Sequence, residues 1–366
     1  MDMIFKKTNP AKLDTGKIER NILAKALGWK TAVFMLMLLV ALTVNILALI
    51  FPFLQFDAAF QGSEMYSIPH TIKLMWSLDL YFIAVLIVAF SLTFPFVKLA
   101  MLFTILWMPL SGPGRHKALT TLRQLGRWSL LDVFVALLIL ILANDQIFIG
   151  ATPRVGVALF LSAICLSMLT CELIEFYNRR LSEKTTDSSP DRRIAIYWSS
   201  GWTFWLMVPM LLLSMFSLLV AVELPFFQIS EVLLKHKSYS VLKSIQSLTE
   251  SGQPAFAWTM MAFLVIIPAL HLVLMAVLGL VPMRRHWRRF LDLWSSTLGA
   301  WSMLDVFALA LLLFMTEGSA LIGFDIRPGL YAILVSLVVY YVTLMIVSYV
   351  IRRVIRRGHR LEAANS

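Results

Sequence analysis

The chain has 366 residues, 59% of them hydrophobic and only 14% charged, with a formal net charge of +11. A soluble fold of this length could not hide so much apolar surface, so the composition selects a polytopic membrane protein. The basic residues gather at the ends of apolar runs instead of interleaving with aromatics along one face, which excludes a nucleic-acid groove and reads as a positive-inside pattern.

Residues 1–30 are polar and carry Lys6, Lys7, Lys12, Lys17, Arg20, Lys25 and Lys30 without an apolar core. No cleavable signal peptide of the usual form is expected there, and the first span is expected to serve as its own insertion signal. An apolar run of roughly 20 residues crosses a bilayer as a helix. Runs at 31–53, 80–108, 128–144, 156–177, 202–222, 255–282, 301–316 and 329–351 predict eight such helices.

Polar segments at 54–79 and 223–254 follow the first and fifth runs, and basic loops, GRHKALTTLRQLGR and RRHWRR, follow the second and sixth. The breaker-rich stretch NRRLSEKTTDSSPDRR marks a linker. The expected organisation is an N-terminal segment 1–30, a four-helix repeat 31–178, a linker 179–200, a second four-helix repeat 201–353 and a tail 354–366. The basic segments fall on one side of an eight-helix topology. Both termini are therefore expected in the cytoplasm, with 54–79 and 223–254 facing the other compartment.

The two halves are copies. GRWSLLDVF at Gly126–Phe134 returns as GAWSMLDVF at Gly299–Phe307, an offset of 173 residues with seven of nine positions the same. The same offset carries Gly28-Trp29 onto Gly201-Trp202, Pro52-Phe53 onto Pro225-Phe226, Tyr66-Ser67 onto Tyr239-Ser240 and Pro95 onto Pro268. It also carries Gly156 onto Gly329 and Arg179-Arg180 onto Arg352-Arg353, without a gap. Four helices per unit bring both units into the membrane the same way, which predicts a pseudo-twofold axis along the membrane normal. The expected fold class is an all-α integral membrane protein of two tandem four-helix repeats.

Each copy of the motif carries an acid into an apolar run. A carboxylate at mid-helix costs about 3 kcal/mol on insertion scales, so Asp132 and Asp305 are expected to face a partner or a wet cavity, or to snorkel and pin a helix end. Trp128 and Asp132 share a helix face with Ser129 beside them, and Trp301, Ser302 and Asp305 repeat the arrangement. Lys98, three residues after Pro95, is the natural counter-charge in the first half, and His271 takes the matching position in the second. Pro95 and Pro268 are expected to kink their helices and free carbonyls. Glu172 and Glu175, near Arg179 and Arg180, read as interfacial ion pairs.

The only cysteines, Cys165 and Cys171, share one apolar run, and no Cys/His cluster occurs, so no metal site and no cofactor is expected. No nucleotide-binding loop, HExxH or nucleophile elbow is present, and no enzymatic activity is expected.

An apolar helix ending in proline, a Tyr-Ser-(Ile/Val) stretch, a Pro-x-x-(Lys/His) turn and WSxLDVF, each given twice, resemble the paraquat-inducible protein A family over nearly the whole chain. The resemblance implies a bacterial inner-membrane protein that works with a periplasmic partner carrying mammalian-cell-entry (MCE) domains. It implies phospholipid as cargo. The zinc ribbon that typically precedes each four-helix unit of the family has no counterpart, because 1–30 and 179–200 contain no cysteine. The residues themselves leave two other roles open, a membrane anchor or assembly factor without a transport path and an ion-coupled small-molecule transporter.

Overall fold

The computed structural model describes residues 21–58, 62–77, 79, 81–144, 149–183, 202–230, 236–281, 285–318 and 324–365. Residues 1–20 of the N-terminal segment and 184–201 of the linker region lie outside the described residues. Among the described residues, eight helices are long and apolar enough to cross a membrane.

Helix α1 (Lys30–Ile50) stops two residues before Pro52, whose ring disfavours helical geometry in the residue ahead of it. The first span therefore ends short of the expected residue 53. The polar segment behind it is not a loop. It forms a hairpin, β1 (Leu54–Ala58) and β2 (Gly62–Tyr66), and then a short amphipathic helix, α2 (Ile68–Ser77).

Helix α3 consists of Tyr81–Ile87, a π-helical turn at Val88–Thr93 and Phe94–Trp107. The π turn lies just ahead of Pro95, which has no N–H to donate and crowds the carbonyl four residues back, at Ser91. The kink expected at this proline thus takes the form of a wider turn.

The expected basic loop after α3 is also a helix, α4 (Gly112–Gly126). Ser111 caps it by accepting from the Gly114 N–H at 3.4 Å, and its Ala, Leu, Arg, Lys and Gln residues favour the helical state. A 3-10 turn at Arg127–Leu130 joins it to α5 (Leu131–Asn144), so the third span reaches back to Gly114. Strand β3 (Ile149–Pro153) and helix α6 (Val155–Glu183) complete the half.

The second half repeats the order: α7 (Trp202–Glu223), β4 (Phe227–Ser230), β5 (His236–Tyr239), α8 (Val241–Glu250), and a π-interrupted α9 made of Pro254–Met261, Ala262–Ile266 and Ile267–Leu280. Helix α10 (Arg285–Trp301) replaces the second expected basic loop, and α11 (Leu304–Gly318), β6 (Phe324–Ile326) and α12 (Pro328–Asn365) follow. The tail from 354 continues α12 as helix.

The copying holds down to hydrogen-bond register. The three-stranded sheets have the orders β2-β1-β3 and β5-β4-β6, with Leu54 opposite Tyr66 and Pro153, and Phe227 opposite Tyr239 and Ile326. Pairing of β3 with β1 holds the segments after the first and third spans at one end of the bundle, and β6 with β4 does the same in the second half. Gly156 donates its N–H to the Pro52 carbonyl at 3.0 Å, and Gly329 to that of Pro225 at 2.9 Å. A Cβ at either glycine would meet that carbonyl oxygen, a backbone group that cannot step aside.

One hydrophobic core runs through both halves, and its centre is α5 against α11. Phe134 and Phe307, equivalent positions of the repeat, meet edge to face there at 5.7 Å. A second equivalent pair meets between α4 and α10, where Arg123 Nη1 donates to Ser296 Oγ at 2.9 Å.

Candidate functional site

The motif is the segment with which α4–α5 and α10–α11 dock onto the π-interrupted helices. Trp128 lies against Phe90 with ring centres 6.5 Å apart, and Trp301 stacks on Phe263 at 5.9 Å with planes 10° apart. Phe90 and Phe263 both belong to π turns, so the widened turn and the motif tryptophan are one device used twice.

The motif glycine seats a base. Lys98 is 1% exposed and donates to Ser167 Oγ on α6 at 3.0 Å. A Cβ at Gly126 would lie 2.7 Å from its Nζ. In the second half His271 is 2% exposed, with Nδ1 2.6 Å from the Tyr340 hydroxyl on α12 and Nε2 3.2 Å from Ser295 Oγ. A Cβ at Gly299 would lie 2.9 Å from its Cε1. Ser167 and Tyr340 are equivalent positions, so each half buries a basic side chain against its motif glycine and bonds it to its last helix.

The two glycines are not equally sensitive. The lysine end is flexible and can move from an added methyl, whereas the imidazole is held at both nitrogens. Gly299→Ala is expected to lower the thermal midpoint of the purified protein clearly more than Gly126→Ala, by about 1–3 kcal/mol of overpacking against under 1. Equal midpoints for the two variants would contradict this seating.

The two acids have different partners. Asp132 accepts a hydrogen bond from Ser91, the π-turn residue four before Pro95. The equivalent of Ser91 is Leu264, so Asp305 has no such donor. Asp305 instead takes Arg127 Nη1 at 3.3 Å and the Tyr341 hydroxyl at 2.9 Å, and Arg127 also donates to Tyr341 at 3.1 Å. Arg127 belongs to the first half and Asp305 and Tyr341 to the second. The equivalents of Arg127 and Tyr341 are Ala300 and Met168, so Asp132 has no matching pair.

Lys98 and Asp132, paired on sequence grounds, are not brought together. The antiparallel helices place Ser91 level with Asp132 and Lys98 level with Gly126, so lysine and acid stand about 9 Å apart along the bundle. His271 and Asp305 are separated in the same way, His271 lying against Gly299. Ser129 is buried, and its Oγ has no partner among the described residues; Ser302 is buried beside Tyr340. Pro95 and Pro268 are buried in the helices they widen.

At the end opposite the sheets, the expected pairing of Glu175 with Arg179 is present at 2.6 Å. Arg123 adds Glu175 at 3.1 Å and Glu172 at 3.6 Å, and Thr297 of the second half donates to Glu172 at 3.1 Å. Among the described residues, no group of three or more His, Cys, Asp or Glu side chains could hold a metal ion.

Sequence reasoning missed Ser91, Arg127, Ser167, Tyr340 and Tyr341. Arg127 was available, since it is one of two positions at which the motif copies differ. Ser91 was available as the residue whose carbonyl Pro95 leaves free. Ser167, Tyr340 and Tyr341 are polar residues on long apolar helices, and nothing local separates them from packing residues.

Compared with known proteins, the sequence model described as "Paraquat-inducible protein A" matches residues 32–180 and again 206–355. The two matched stretches coincide with the two structural halves. No curated protein and no solved structure matches the chain.

Proposed function

We propose that this chain, which belongs to the paraquat-inducible protein A family, is the bacterial inner-membrane subunit of a lipid transport system, passing phospholipid to a periplasmic MCE-domain partner. The family membership carries the reading, and the duplicated docking site supports it. In this reading the sheets face the periplasm, the basic ends and both termini face the cytoplasm, and the halves are related by a pseudo-twofold axis. The contacts of Phe134 with Phe307 and of Arg123 with Ser296 support that axis, because positions related by a twofold can touch only near it.

The three-stranded sheets are the surfaces offered to the partner. Met65, on β2, is exposed at the sheet end, while His116, with a half-exposed side chain, lies at the opposite end. A photo-crosslinking amino acid at Met65 is expected to capture the MCE-domain protein in whole cells, and the same group at His116 is not. Capture from His116 alone, or from neither position, would argue against this docking and orientation.

A second reading, a membrane anchor or assembly factor without a transport path, draws on the observation that Lys98, His271 and Asp305 all find partners inside the protein. It expects full lipid delivery when these groups are made apolar. An ion-coupled small-molecule transporter would share the polar groups but would carry no lipid.

A further inference from the structure

Arg115 and Arg288 are equivalent positions on α4 and α10, and the Nη ends of their guanidinium groups are served differently. Arg115 is buried and donates to Asn178 Oδ1 and to the Leu110 carbonyl, both at 3.3 Å. The position equivalent to Asn178 is Ile351, which offers no acceptor. Arg288 is partly buried, and its Nη2 is buried without a partner among the described residues. Asp292, one turn on, acts on it through its charge, but no ion pair joins them within 4.0 Å. A buried guanidinium nitrogen without an acceptor is costly, and an anion satisfies it.

The surroundings differ between the halves in a matching way. Trp287, Phe290 and Trp294 are 60%, 44% and 51% exposed and stand in a row, with ring centres 6.3 and 6.1 Å apart. Their spacing of three and four places them on one face of α10. The equivalent residues of α4 are Gly114, Lys117 and Thr121, so the first half has no such ridge. The ridge begins within RRHWRR, at the end of the bundle opposite the sheets, where the apolar span Phe290–Thr316 starts. Aromatic rings beside arginines at that level match a lipid with an acyl body and an anionic head.

We propose that α10 carries a binding site for an anionic phospholipid, with the headgroup phosphate on Arg288 and the acyl chains along Trp287, Phe290 and Trp294. The site lies away from the motif and the sheets, and it stands or falls independently of lipid delivery. A neutral or zwitterionic lipid covers the ridge but leaves the arginine poorly served. A soluble phosphate reaches the arginine but not the ridge.

Tryptophan quenching tests the assignment in the full-length protein, reconstituted with brominated phosphatidylglycerol or brominated phosphatidylcholine. The ridge signal is the difference between the wild type and the Trp287→Phe/Trp294→Phe variant. Half-quenching is expected at about fivefold less phosphatidylglycerol than phosphatidylcholine, the discrimination of one arginine near an anionic surface. Arg288→Gln is expected to remove this preference, while Lys117→Gln on α4 retains it. Raising the salt on wild-type protein is expected to weaken it, an arm that needs no variant to fold. Equal quenching by the two lipids, or a preference that survives both Arg288→Gln and high salt, overturns the site. Displacement of the ridge quenching by soluble glycerol phosphate overturns the lipid assignment in favour of a free phosphate.

Discussion

Arg127→Ala is expected to destabilise the protein by about 3–5 kcal/mol, because it strands a largely buried carboxylate. The Arg127 and Asp305 side chains are each 15% exposed, with 3.3 Å between Nη1 and Oδ2. Tyr341 closes the triangle from α12, donating to Asp305 at 2.9 Å and accepting from Arg127 at 3.1 Å. Without the guanidinium, two neutral donors, the Tyr341 hydroxyl and the Val306 N–H at 3.0 Å, are left to face the charge. Because the arginine comes from the first half and the acid from the second, the loss should show as easier separation of the halves.

Unfolding of Arg127→Ala, Asp305→Ala and the double variant provides the measurement. The double variant should be less damaged than the sum of the singles, by on the order of 1–3 kcal/mol of coupling. Strict additivity would mean that the contact contributes nothing between the halves. Asp132→Ala is the internal control. Its partner is the neutral Ser91 hydroxyl of the same half, and its loss is expected to cost less, about 1–2 kcal/mol.

The second large effect concerns Lys98. The side chain is 1% exposed and has one hydrogen bond among the described residues, to Ser167, at 3.0 Å. Replacing a buried charged group with an apolar one of similar shape is commonly neutral or stabilising. Lys98→Met is therefore expected to leave the unfolding midpoint unchanged or higher. If the lysine serves lipid handling, as an intramembrane charge ordinarily serves function, delivery to the partner should fall on the order of tenfold or more.

Stability retained with delivery lost supports a functional lysine. Stability and delivery both retained would return the site to the anchor reading. His271→Leu, tested beside it, asks whether the second half's base carries the same weight. Its two hydrogen bonds, to Tyr340 and Ser295, give it the larger structural share, so its midpoint is expected to fall.

Much of the architecture was legible along the chain because its signals are local. A bilayer demands apolar runs of fixed length, so eight helices could be read directly. A constant offset between Gly126 and Gly299 revealed the duplication, and the strand registers repeat at that same offset. The basic segments look like loops by their charge, but their Ala, Leu, Arg, Lys and Gln residues favour helix, and both fold as helices. In α4 the buried Leu119 and Leu122 pack one face, and both α4 and α10 run as helix up to the motif.

What depended on tertiary structure was the choice of partners. The motif acids look interchangeable in sequence, since the residues around Asp132 and Asp305 are nearly the same. Their environments differ because Ser91 faces one, while its equivalent, Leu264, leaves the other to Arg127 and Tyr341. Sequence offers both Lys98 and Asp132 as charges in need of a counterpart, but antiparallel packing sets their heights apart and supplies each from a different helix. The motif glycine reads as a turn residue until the fold brings Lys98 or His271 against it. Hydropathy and periodicity determined which segments cross the membrane. Which polar groups meet inside it was decided by helix register, which only packing sets.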